Sequence, residues 1–171
     1  LGELLSESGQ KDKAVKTFKE VLDLFPQNFS VQIRIADWYY TKGMIEESLE
    51  TYRVAETIDS ENPVVQARLG KIYVDKNEKT KARVALEKAI KLNPKDAQSH
   101  YQLGKLVSGE GKWGRAQSLL SNAISLDARH ADSHYELGIV LLDREKVDSA
   151  RDEFQKALDL EPKNSDFIMG L

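Results

Sequence analysis

Apolar residues recur along the chain in helical steps. Between positions 63 and 96, Leu69, Gly70 and Tyr73, then Ala82, Leu86, Ala89 and Ile90, fall at i, i+3 and i+4. This spacing predicts two amphipathic helices separated at Asn77, and the same design returns every 34 residues. Small residues occupy one column, Gly2, Ala36, Gly70, Gly104 and Gly138, and a second column reads Ala14, Ser48, Ala82, Ala116 and Ala150. Four positions beyond the second column come Phe18, Tyr52, Leu86, Leu120 and Phe154. The columns run through five copies without insertion or deletion, so they define an internal repeat.

Each copy carries its own punctuation. Gly9, Gly43, Asn77 and Gly111 stand where the first helix stops, because Gly and Asn tolerate the left-handed conformation. Glu145 fills that column in the last copy, and a turn of different geometry is expected there. Pro26, Pro94 and Pro162 close the second helix, since proline cannot continue it. Asn28, Asn62, Asp96 and Asn164 follow at the position of an N-cap, and His130 shares their column. No strand is predicted. One hairpin cannot bury its own apolar face, so successive hairpins must stack. The expected fold is all-α, a right-handed solenoid of antiparallel helix pairs with a concave face.

These columns resemble the tetratricopeptide repeat, whose signature is W-x2-L-G-x2-Y, then A-x3-F, then P. Leu69, Gly70, Tyr73, Ala82 and Pro94 carry the match, whereas the Trp column holds Gln32, Gln66, His100 and His134. The resemblance extends over essentially all 171 residues. It divides the chain into a partial repeat at 1–28, complete repeats at 29–62, 63–96, 97–130 and 131–164, and the start of a further helix at 165–171. Leu1 and Leu171 fall in one column, so both ends interrupt a hairpin, and Phe167, Ile168, Met169 and Leu171 should leave an apolar face open. The sequence therefore reads as an excerpt of a longer protein.

Composition narrows the chemistry. A net charge of −3 argues against a dedicated nucleic-acid binder. Apolar runs such as Ile139-Val140-Leu141-Leu142 are far too short to cross a bilayer. Zero cysteines exclude disulfides, a thiolate nucleophile and Cys-ligated zinc. None of this selects a compartment. The cytoplasm is the default expectation, and the periplasm and other locations stay open. Asn28-Phe29-Ser30 is formally a glycosylation sequon.

By resemblance, the first helix of each hairpin lines a peptide-binding groove. The groove positions carried over are Arg34, Tyr40, Arg68, Lys71, Tyr101, Gln102, Lys105 and Tyr135, with Glu3 and Glu7 at one end and Asp132, Glu136 and Asp143 at the other. Arg and Lys there can hold the carboxylates of an acidic segment, and Tyr offers contact area at low entropy cost. The competing reading is a solvated face, with Arg34 and Asp37, and Lys71 and Asp75, spaced to pair along their own helices. The chaperone-tail clamp of the family is not matched: Ile33 and Asp37, Arg68, then Gln98 and Gln102 stand at its positions. The Asn ladder of the sugar-transferring members is likewise replaced by Arg34, Arg68, Gln102 and Glu136.

Catalytic motifs are missing. The glycines stand singly between helices, with no phosphate-binding loop. His130 and His134 lie four apart and could face a metal, but no third ligand accompanies them, and capping and packing account for both. Trp113 should pack its hairpin, while Trp38 fits either core or contact surface. The expected function is a non-catalytic interaction scaffold, without cofactor or metal, that binds a partner protein or peptide in its groove. The alternatives are self-association through the ends, and service as the recruitment array of a larger enzyme or secretion machine.

Overall fold

The computed structural model describes residues 2–168, and for Glu3 the backbone alone. Leu1, Met169 and Leu171 lie outside the described residues. The chain is all-α. Its helices are α1 (Gly2–Glu7), α2 (Lys11–Leu24), α3 (Phe29–Thr41), α4 (Ile45–Ile58), α5 (Pro63–Asp75), α6 (Lys79–Leu92), α7 (Ala97–Ser108), α8 (Trp113–Leu126), α9 (Ala131–Asp143), α10 (Val147–Leu160) and α11 (Ser165–Ile168). Among the described residues there is no strand, and no helix is long and apolar enough to cross a membrane. Two compact units form, Leu1–Val65 and Gln66–Leu171.

In the first unit α1 pairs with α2 and α3 with α4, around Ala14, Phe18, Ile35, Trp38 and Tyr39. Trp38 belongs to this core: its ring lies 4.7 Å from Phe18 and 5.5 Å from Tyr39. Ser48, the polar member of the Ala column, donates its hydroxyl to the Ala36 carbonyl at 2.9 Å, which removes the penalty of burying it. Tyr52 is fully buried and donates a hydrogen bond from its hydroxyl to the Asp37 carboxylate.

The second unit packs α7 with α8 and α9 with α10 around Leu86, Leu103, Val107, Leu120, Leu137, Val140 and Phe154, with Trp113 at the margin of the same core. The small column is dictated by backbone approach. A Cβ on Gly138 would lie 2.5 Å from the Phe154 ring, and one on Gly104 would lie 2.9 Å from Leu120. Gly70 meets Leu86 in the same way, and in the first unit Gly2 meets Phe18.

The turn column behaves more uniformly than expected. Gly9, Gly43 and Gly111 have φ of 77°, 72° and 73°, Asn77 has 57°, and Glu145 has 58°. The different geometry anticipated at Glu145 is therefore corrected. The amides of Glu145 and Lys146 reach the carbonyls of Leu142 and Leu141 at 2.8 and 2.9 Å, as those of Asn77 and Glu78 reach Val74 and Tyr73. The packing of α9 on α10 fixes the turn, and Glu145 accepts a conformation disfavoured for a residue with a Cβ.

Four members of the cap column bond as expected. Asn28 accepts from the Val31 amide at 3.1 Å, Asn62 from Val64 at 3.1 Å, Asn164 from Asp166 at 3.1 Å, and the His130 Nδ1 from Ser133 at 3.2 Å. Asp96 departs from the pattern: its carboxylate takes the Ser99 hydroxyl and leaves the backbone amides of α7 without a side-chain cap.

The column that replaces the signature tryptophan is buried and polar. Gln32 donates to the Pro26 carbonyl at 2.9 Å, and Nε2 of His100 and of His134 meets the carbonyls of Pro94 and Ala128 at 3.0 and 3.2 Å. Each side chain thus ties a first helix to the loop six residues before it. Phe167 also departs from expectation. It is 2% exposed, with its ring 5.0 Å from Tyr135, because α11 folds back onto α9 and α10; Ile168 stays exposed.

Candidate functional site

First helices of the repeats carry the predicted groove residues, and each unit presents its own set. In the first unit Arg34 is exposed on α3, Tyr40 is half-buried near the end of that helix, and Asp37 between them is held from below by Tyr52. Arg34 also borders a cavity of about 210 Å³ walled by Thr17, Phe18, Val21, Val31 and Ile35.

In the second unit Arg68 is exposed on α5, and Lys71 pairs with Asp75 at 4.0 Å, the interaction its spacing suggested. On α7, Tyr101 and Gln102 are buried, at 6% and 8% exposure. Tyr101 lies beneath Lys105, whose Nζ sits 6.0 Å from the ring centroid, and its other neighbour is His130, with centroids 4.8 Å apart. His130 in turn meets Gln98 Oε1 through Nε2 at 2.9 Å. Burial pushes the Tyr101 hydroxyl up; Lys105 opposes that shift, and Asp132 and Glu136 add to it.

Glu136 was expected at an acidic end of the groove. From α9 it reaches across to the basic residues, 8% exposed, with Oε1 2.8 Å from Lys105 Nζ. Burial pulls the Lys105 ammonium down, but the hydrogen bond and charge of Glu136 outweigh it and hold the group above the usual lysine range. The middle of this face is therefore a paired cation and carboxylate over an aromatic ring. A signal for the pair was available in the repeat register: Lys105 occupies the ninth first-helix position of its repeat and Glu136 the sixth of the next. Tyr135 sits apart from this group, partly buried between the rings of Phe154 and Phe167 at 5.5 and 5.0 Å.

The histidines act within the fold. Nδ1 of His134 is 2.6 Å from Glu153 Oε2, so both its ring nitrogens face oxygen atoms, and both of His130 are engaged by Ser133 and Gln98. Among the described residues no three His, Cys, Asp or Glu side chains converge on a metal-sized site. Sequence reasoning missed Glu153, which lies 19 residues from His134 on the facing helix and carries no motif.

Family models match almost the full length. The model described as Tetratricopeptide repeat covers residues 1–63 and 101–165, and one described as TPR repeat covers 70–109. The chain belongs to the tetratricopeptide repeat family. No curated protein matches it in sequence. Among solved structures it is similar to MamA, at 25% identity and a TM-score of 0.84 over 95% of either chain. It shares its fold with YrrB, described as a TPR protein with an unusual peptide-binding site, at 24% identity and TM-score 0.77 over 98% of this chain and 87% of that one. PilF of Pseudomonas aeruginosa has the same fold at 18% identity and TM-score 0.83, over 99% of this chain and 77% of its own. Membership makes the chain a protein-interaction scaffold in general character.

Proposed function

We propose that the chain is a non-catalytic adaptor that captures a segment of a partner protein on the face made by its first helices. Arg34 and Tyr40 serve in one unit, and Arg68, Lys71, Tyr101, Gln102, Lys105 and Tyr135 in the other. The observation that carries this reading is the face of α7, where the Lys105 ammonium, on a side chain 53% exposed, lies 6.0 Å from the Tyr101 ring and 2.8 Å from the Glu136 carboxylate. Such a cation, carboxylate and ring offer a partner segment charge-assisted hydrogen bonds and aromatic contact area. Fixed helices also limit the freedom lost on binding. YrrB, a protein of the same fold, has a peptide-binding site.

The test is capture from native lysate by the wild-type chain and by a variant with Arg68→Glu, Lys71→Glu and Lys105→Glu, both shown equally helical by circular dichroism. A partner retained by the first and lost by the second is the expected result. Equal recovery would remove this face from the function.

A further inference from the structure

The second unit orders its charges across three first helices. On α5 stand Arg68 and Lys71, with Asp75 paired to Lys71. The middle helix, α7, offers the Gln102 amide. On α9 the exposed Asp132 and the buried Glu136 make the acidic side, and Lys105 from α7 reaches Glu136. The face thus runs from basic through neutral amide to acidic.

Resting on the adaptor reading above, we propose that this face selects an extended partner segment of mixed charge, with a carboxylate set against α5 and an arginine set against α9. Three features fit an arginine at the second place. Glu136 is held in position by burial, whereas the Lys105 side chain is 53% exposed and free to swing outward. A guanidinium forms two parallel bonds with a carboxylate where an ammonium forms one, so it competes well with Lys105. The Tyr101 ring beneath Lys105 already faces a cation, which an incoming guanidinium replaces by stacking. Between the two charges Gln102 matches the donor and acceptor of a peptide unit.

Geometry limits the spacing. α7 packs on α9, and the 34-residue repeat sets α5 in the same relation to α7; at about 8–10 Å for each step, α5 to α9 spans roughly 16–20 Å. An extended chain rises about 3.3 Å per residue, which places the acidic residue and the arginine about five or six positions apart. A wholly acidic segment meets Asp132 and Glu136 as like charges and is disfavoured.

Selection of random displayed dodecapeptides on the intact chain tests the proposal, followed by binding of the resynthesised winners by fluorescence anisotropy. Peptides carrying an acidic residue and an arginine at this spacing should be enriched, and alanine at either residue should weaken Kd about tenfold. The double variant Arg68→Glu, Lys71→Glu should exchange the acidic requirement for a basic one, and Asp132→Lys should relax the requirement for arginine. Peptides that bind, and are lost with Gln102→Leu or the α5 variant, but carry no such pair would overturn the mixed-charge proposal and leave the adaptor face standing. Failure to enrich any peptide, or winners indifferent to every substitution here, would overturn both.

Discussion

At the scale of single residues, the repeat shows which glycines are there for space and which for backbone angle. Gly138 is a spacing residue, since an added Cβ would meet the Phe154 ring at 2.5 Å. Gly138→Ala should cost about 1–3 kcal/mol in urea unfolding, the usual effect of overpacking. Gly114 has nothing within 4 Å of an added Cβ and lies in the first turn of α8, so Gly114→Ala should gain about 0.5 kcal/mol. Glu145 presents the opposite case, a side-chain residue at φ 58°. Glu145→Gly should stabilise the protein by about 1 kcal/mol, the relief of left-handed strain partly offset by a freer unfolded chain. The sequence made the column itself plain but misjudged its last member. Propensity ranks Glu poorly for such a turn, yet the bonds to Leu141 and Leu142 and the packing of α9 on α10 decide its conformation.

Between elements, the clearest tie runs from α9 to α10 through His134 and Glu153. Burial raises the Glu153 carboxyl, but hydrogen bonds from Lys156 and His134, with their charges, prevail and hold it below the ordinary value of 4.5. A depressed carboxyl contributes stability above its unfolded value and loses it as pH falls through the folded one. Glu153→Gln should therefore lower stability by about 1–2 kcal/mol at neutral pH, with the difference from wild type fading below about pH 4. Thermal unfolding over a pH series checks this; a gap that persists undiminished in acid would contradict it. Repeat columns alone conceal the tie, because it joins different columns. One repeat earlier His100 occupies the place of His134, but Leu119 stands where Glu153 would be, and His100 Nδ1 is buried with no partner among the described residues. Helices and hairpins were legible because each depends on local periodicity. The pairing of His134 with Glu153 was not, since it depends on how far each side chain reaches between neighbouring helices; for Lys105 and Glu136 the register placed the two positions on adjacent first helices but not the bond between them.

On the scale of the whole molecule, stability must come from one hairpin gripping the next. Within the second unit Arg83 on α6 donates to Glu110, in the turn between α7 and α8, and Arg144 after α9 donates to Gln117 on α8. These are one contact in successive repeats, with the cation moved from the helix to the turn. Hydrogen bonds from Lys112 and Arg83 hold the Glu110 carboxyl below its usual range against the effect of burial. Arg83→Ala should cost about 1–2 kcal/mol, because it strips a largely covered carboxylate of a partner from the adjoining repeat. Arg151→Ala, whose pair with Asp148 lies on the surface within α10, should change stability by less than about 0.5 kcal/mol. Equal losses from both would show that stacking does not depend on the Arg83 contact.

The turn column has a further use. Residues 9, 43, 77, 111 and 145 share one backbone conformation in five settings of the same design, occupied by three glycines, an asparagine and a glutamate. Exchanging those residue types among the five sites makes the chain its own host–guest series. Each exchange reports the cost of a left-handed residue at one place, and the spread among places reports how firmly each neighbouring pair of helices enforces it. A fraying hairpin would register Gly and Glu as nearly alike, whereas a tightly held one would separate them.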